Sequence, residues 1–102
     1  MSDKYILEGK IPVPCGDLMT WAQWFETADR HVANDIIGKS TISTVFLGLN
    51  HAFGRGRLLL FETMIFDGKH DGYQDRYTTW EEAEIGHQRA VRLVESEAES
   101  HA

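Results

Sequence analysis

Apolar positions recur along this chain with two periods, and the changes between them mark out the elements. Leu18, Trp21, Ala22, Phe25, Ala28 and Val32 fall at offsets 0, 3, 4, 7, 10 and 14, one face of a helix. Asp17 stands where an N-cap belongs, so the spacing predicts a helix over 17–33 that "AND" breaks. Trp80, Ala83, His87, Ala90, Val91, Val94 and Ala98 repeat the pattern at offsets 0, 3, 7, 10, 11, 14 and 18. Thr79 and Glu82 have the spacing of a capping box ahead of this second helix. Gly86, between Ala83 and Ala90, thins its apolar face, which suits a helix lying close on a sheet. The tail from about residue 96 is expected to fray.

Strand signals fill the rest. "KYILEGKI" reads as a first strand, stopped by the prolines and glycine of "PVPCG". Gly38–Lys39 is the turn between a short strand and a long one ending near Asn50, supported by the β-branched run from Thr41 to Val45. A loop over His51–Arg57 leads to a strand over Leu58–Phe66, and Tyr73–Thr78 reads as a last short strand. The order β-α-β-β-β-(β)-α predicts an α+β fold: a mostly antiparallel sheet of four to five strands with two helices packed on it. No repeat or linker divides the 102 residues, so 1–102 reads as a single domain.

One residue conflicts with that pattern. Alternation puts Glu62 on a strand face with Leu58, Leu60, Met64 and Phe66, and leaves Leu59, Phe61, Thr63 and Ile65 on the other. An ionised carboxylate against a packed helix costs several kcal/mol unless paired. Three readings stay open. Glu62 is wet on an open sheet face, or meets an arginine in an interface, or serves as acid, base or metal ligand in a pocket.

Candidate partners for the third reading are His51, after the long strand, and His87, on the apolar stripe of the last helix. Glu84 and His87 form Glu-x-x-His, the helical half of a carboxylate di-metal site, but that site needs the motif twice. A lone histidine on an apolar face is more often bonded within the core. Neither an HExxH pair nor a Cys–His cluster is present, so no metal and no cofactor are expected. "GRGR" carries Arg55 and Arg57 near a hairpin tip without the pattern of a nucleotide loop, and these arginines are counter-charges for an acidic neighbour. Trp24 lies on the flank of the first helix's stripe, either packed at the rim of the core or partly exposed as an interface anchor.

Charge narrows the partners. Net charge is −6, with six acids and six bases over 1–60 but ten acids against four bases over 61–102. Such a surface repels phosphate backbones, which argues against direct nucleic-acid binding. No apolar run suits a membrane span or a signal peptide, and the single cysteine, Cys15, fits a reducing cytoplasm.

The blocks "STVFLGLNH", "LLFETMIFDG" and "RYTTWEEAEIGH" resemble a group of small, uncharacterised bacteriophage and prophage proteins, in which Asp often stands at the position of Asn50. The resemblance implies a phage-infected or bacterial host and no mechanism. An activity that required Asp at position 50 would be in doubt here.

The sequence therefore favours a small non-enzymatic protein-binding module. Its partner is a protein, it is expected to form a homo-oligomer, a dimer at simplest, and the phage setting makes it a modulator or inhibitor of a host complex. Glu62, Trp24, Arg55 and Arg57 are its candidate binding residues. The alternative is a small enzyme or ligand-binding protein using Glu62 with His51 or His87 in a pocket. A virion or accessory structural component is not separated from the first reading by any sequence feature.

Overall fold

The computed structural model describes residues 3–52 and 56–100, with side chains described through residue 96. A two-stranded ribbon opens the chain where a single strand is expected. Its strands β1 (Tyr5–Glu8) and β2 (Ile11–Pro14) run antiparallel, with Leu7 opposite Pro12 and Tyr5 opposite Pro14. Gly9 makes the reversal at φ +62°, where a side chain would be strained. The prolines do not end the pairing. Cys15 N–H bonds to the Lys4 carbonyl, so odd positions face β1, and Pro12 and Pro14 turn their donor-less nitrogens outward.

Helix α1 (Leu18–Thr27) is capped as expected, Asp17 accepting the Thr20 N–H at 3.1 Å. It stops short of residue 33. Ala28 takes an extended backbone, and Asp29 Oδ1 accepts the His31 N–H to close a turn. His31 and Val32, placed in the helix by periodicity, instead begin β3 (His31–Ile37). Local turn chemistry and β-branched Val32, Ile36 and Ile37 prevail over the apolar spacing.

The Gly38–Lys39 turn joins β3 to β4 (Ser40–Phe46), followed by β5 (Phe61–Phe66), β6 (Gln74–Tyr77) and α2 (Trp80–Ser100). The second sheet is antiparallel throughout, in the order β3-β4-β5-β6. Two antiparallel sheets and two helices make this an α+β fold. Both central strands are shorter than expected. Beyond them, irregular bonds keep the chains together, Leu47 N–H to the Leu60 carbonyl and His51 N–H to that of Leu59. Asn50 Oδ1 closes this region by accepting two N–H groups, from Ala52 and Leu59, each at 3.0 Å.

Register decides what α2 covers. Ile42 lies opposite Ile65, Thr44 opposite Thr63 and Phe46 opposite Phe61, and all six are fully buried. Two apolar clusters result: one around Phe46, Leu60, Phe61, Tyr77 and Ala83, the other around Ile42, Ile65, Ala90 and Val94. At Gly86 the helix comes so close that a Cβ would stand 2.2 Å from the Tyr77 ring. Thr79 Oγ1 accepts the Glu82 N–H at 3.1 Å, while Glu82 Oε1 takes the N–H of Thr78, one residue ahead of the cap. α1 closes the Phe46 end of the sheet. Trp24 stands edge-on to Phe46 with ring centroids 5.7 Å apart, and Trp21 Nε1 donates to the Gly48 carbonyl.

Candidate functional site

Alternation along β5 turns Phe61, Thr63 and Ile65 under α2 and Glu62, Met64 and Phe66 to the uncovered face. Glu62 is on the open side, yet it is not bathed in water: its side chain is only 12% exposed. Directly across from it on β6, Arg76 donates Nε–H to Glu62 Oε2 at 2.9 Å, and Gln74 Nε2 donates to the same oxygen. The carboxylate thus meets an arginine, but one of its own chain. This cross-strand pair accounts for an acid among apolar neighbours.

His87 lies on the other side of the sheet. The structure does not bring it to Glu62, whose carboxylate is engaged on the opposite face. His87 is fully buried, with Nδ1 2.7 Å from Thr44 Oγ1 and Nε2 2.7 Å from Asp35 Oδ2. Thr44 Oγ1 also meets Thr63 Oγ1, and Tyr77 donates its hydroxyl to Thr63 at 3.0 Å. One arrangement satisfies every group in this row. Tyr77 donates to Thr63, Thr63 to Thr44, Thr44 to His87 Nδ1, and His87 Nε2–H to the Asp35 carboxylate. Burial pushes the Tyr77 phenol up to about 12, against the opposing effect of its bond to Thr63.

The order carboxylate–imidazole–hydroxyl is that of a nucleophilic triad, but Thr44 and His87 have no exposed surface. A substrate carbonyl has no way to the hydroxyl. The row instead divides the two apolar clusters and fixes β3, β4, β5 and α2 against one another. Glu84 is exposed, so the Glu-x-x-His pair assembles nothing around His87.

The other candidates separate. His51 is half-buried beside Leu59, to whose carbonyl its backbone N–H donates. Trp24 takes the packing role. Arg55 lies outside the described residues. Arg57 does reach a cleft.

That cleft, about 290 Å³, runs between β6 and one flank of α2, and is lined by Arg57, Arg76, Tyr77, Glu82, Ile85 and Arg89. Glu82, Ile85 and Arg89 are spaced three and four residues apart, one flank of the helix. Arg57 bonds to Glu82 and, through Nε, to Thr78 Oγ1 at 3.0 Å. Arg89 stands 3.8 Å from Asp75. The Thr78 N–H, and less strongly the Arg57 charge, hold the Glu82 carboxyl below the usual carboxylate range. A second cleft of about 320 Å³, lined by Leu59, Gln74, Asp75 and Arg76, continues along the same strand. Sequence spacing pointed to Arg57 alone. Arg76 and Arg89 join it through the β6–α2 packing, which periodicity does not encode.

Among the described residues no helix is long and apolar enough to cross a membrane. Comparison with protein-family models, curated proteins and solved structures finds no match for this chain.

Proposed function

We propose that this chain is a small non-enzymatic protein-binding module whose recognition surface is the cleft between β6 and α2. The observation that carries the reading is the gathering of Arg57, Arg76 and Arg89 around that cleft in a chain of net charge −6. Arginine is the cation most used at protein interfaces, because its planar fork bonds carboxylates and carbonyls and it is weakly hydrated. The candidates for the enzyme reading are engaged elsewhere: Arg76 and Gln74 hold Glu62, and His87 is sealed between α2 and the sheet. That leaves the enzyme reading without the Glu62–histidine pair on which it depends. The resemblance to phage proteins would place the partner in host machinery, with this chain as its cytoplasmic modulator. Self-association as a dimer belongs to the same proposal.

The test is selection from a random peptide display library on the wild type and on a double variant, Arg57→Glu with Arg89→Glu. Both positions are exposed, so circular dichroism should show the variant folded. Enrichment of related sequences by the wild type, lost in the variant, is the expected result. Failure to enrich, or enrichment indifferent to the charge reversal, overturns the reading.

A further inference from the structure

We infer that the β6–α2 cleft takes an extended acidic segment of a partner protein, which adds to β6 as a fifth strand of the sheet; this rests on the binding reading above. β6 is the last strand in the order β3-β4-β5-β6, so among the described residues one of its edges has no strand beside it. Its polarity can be read from the bonds on the other edge. Tyr73 and Tyr77 turn their carbonyls to β5, accepting Ile65 N–H at 3.1 Å and Leu60 N–H at 2.9 Å. By alternation, Gln74 and Arg76 turn theirs outward. The first cleft lies against this strand, and its other wall is the Glu82–Ile85–Arg89 flank of α2. A free strand edge facing a helix flank is the arrangement that captures peptides by strand addition.

The edge also selects what it takes. Outward N–H groups are already accepted by carboxylates, that of Arg76 by Asp75 Oδ1 at 3.0 Å and that of Thr78 by Glu82. The edge therefore offers mainly carbonyls, which an incoming backbone meets with its own N–H groups. Ile85, 60% exposed, supplies an apolar contact at the helix wall. The arginines supply the charge preference. Their ion pairs do not exhaust them: each guanidinium has five donors, and the Arg76–Glu62 contact uses Nε. Arg57 and Arg89 have side chains 66% and 65% exposed, and exposed pairs of this kind hold weakly. A partner carboxylate can join or replace Asp75 and Glu82 at little cost.

The opposite edge of the sheet is less suited to the role. β3 is bulged between His31 and Ala33, and the carboxylate of its Asp35 is bound to His87.

The experiment is a titration of the isotope-labelled protein with a blocked hexapeptide of alternating glutamate and valine, followed by NMR. Shifts at Gln74–Thr78, Ile85 and Arg89, with slowed exchange of the Gln74 amide, are expected. N-methylating the alternate residues whose N–H groups face β6 should weaken binding at least tenfold, while methylating the other set leaves it unchanged. Arg57→Glu with Arg89→Glu should weaken it by a similar factor, and a lysine–valine peptide should not bind. Equal binding by both methylated sets overturns strand addition and leaves the binding reading intact. Equal binding by the lysine peptide overturns the acidic assignment. Shifts confined to Ile36, Thr41 and Phe66 would move the site to the open sheet face and overturn the inference. If display-selected peptides bind and this one does not, the inference alone falls; if neither binds, the reading beneath it falls too.

Discussion

Asp35 Oδ2 stands 2.7 Å from His87 Nε2 and fastens the edge strand β3 to the middle of α2. The residues are 52 apart in sequence, and the contact ends a row of donors that begins at the Tyr77 hydroxyl.

Breaking that row at His87 and at Asp35 should cost unequally. His87→Ala removes a buried ring and strands the Thr44 hydroxyl, so a loss on the order of 3 kcal/mol is expected in guanidinium denaturation. Asp35→Ala leaves the imidazole N–H without an acceptor and should cost about 1–2 kcal/mol. Asp35→Asn keeps an acceptor oxygen and should cost less than about 1 kcal/mol. Equal losses for the two Asp35 variants would mean that charge, not the hydrogen bond, is what matters.

The pair on the open face should be asymmetric in the same way. Arg76→Ala leaves Glu62 shielded with Gln74 as its remaining partner, whereas Glu62→Ala leaves an arginine free to turn into water. The first should cost about 1–2 kcal/mol and the second less than about 1 kcal/mol. Urea midpoints of the two variants at low and moderate salt check the order.

Gly86→Ala gains about 1 kcal/mol of helix propensity in isolation. Here the added methyl would stand 2.2 Å from the Tyr77 ring, so the helix must lift off the sheet. A net loss of about 1–3 kcal/mol is expected. Most of it should vanish in a Tyr77→Leu background, which a double-mutant cycle measures directly.

Tyr77 also sets a limit in alkali. Its phenol titrates at about 12 in the fold and near 10 when unfolded, so the neutral form is what folding favours. That contribution is whole below about pH 10 and is lost as pH rises toward 12. Thermal melts from neutral pH upward should show a fall in stability in this window that Tyr77→Phe lacks.

Asn50 tests whether the position carries chemistry. Its side-chain oxygen accepts the N–H groups of Ala52 and Leu59, a task an aspartate oxygen performs equally well. Asn50→Asp should therefore change the melting temperature little, while Asn50→Ala should cost about 1–3 kcal/mol.

The elements legible in the sequence were those whose signals are local. Asp17 and Thr79 mark their helices by capping, Gly38–Lys39 marks its hairpin, and Gly86 marks a close approach. α1 was misread past Thr27 because Ala28 and Val32 happen to extend its apolar spacing, while the Asp29 turn that ends it has no period. Giving the first half of β3 to that helix and its break hid Asp35 as a strand residue, and with it the reason for a buried His87. Glu62 was legible as a question and not as an answer, because its partner Arg76 is set by the β5–β6 register. The cleft was the least legible part: Arg57 from the segment before β5, Arg76 from β6 and Arg89 from α2 converge only through packing.

The two prolines of the N-terminal ribbon bear on what can pair with its outer edge. Each removes a donor from the outer side of β2, so a strand laid there could form only half of each ladder, through its own N–H groups, and a repeating cross-β stack gains little from that edge.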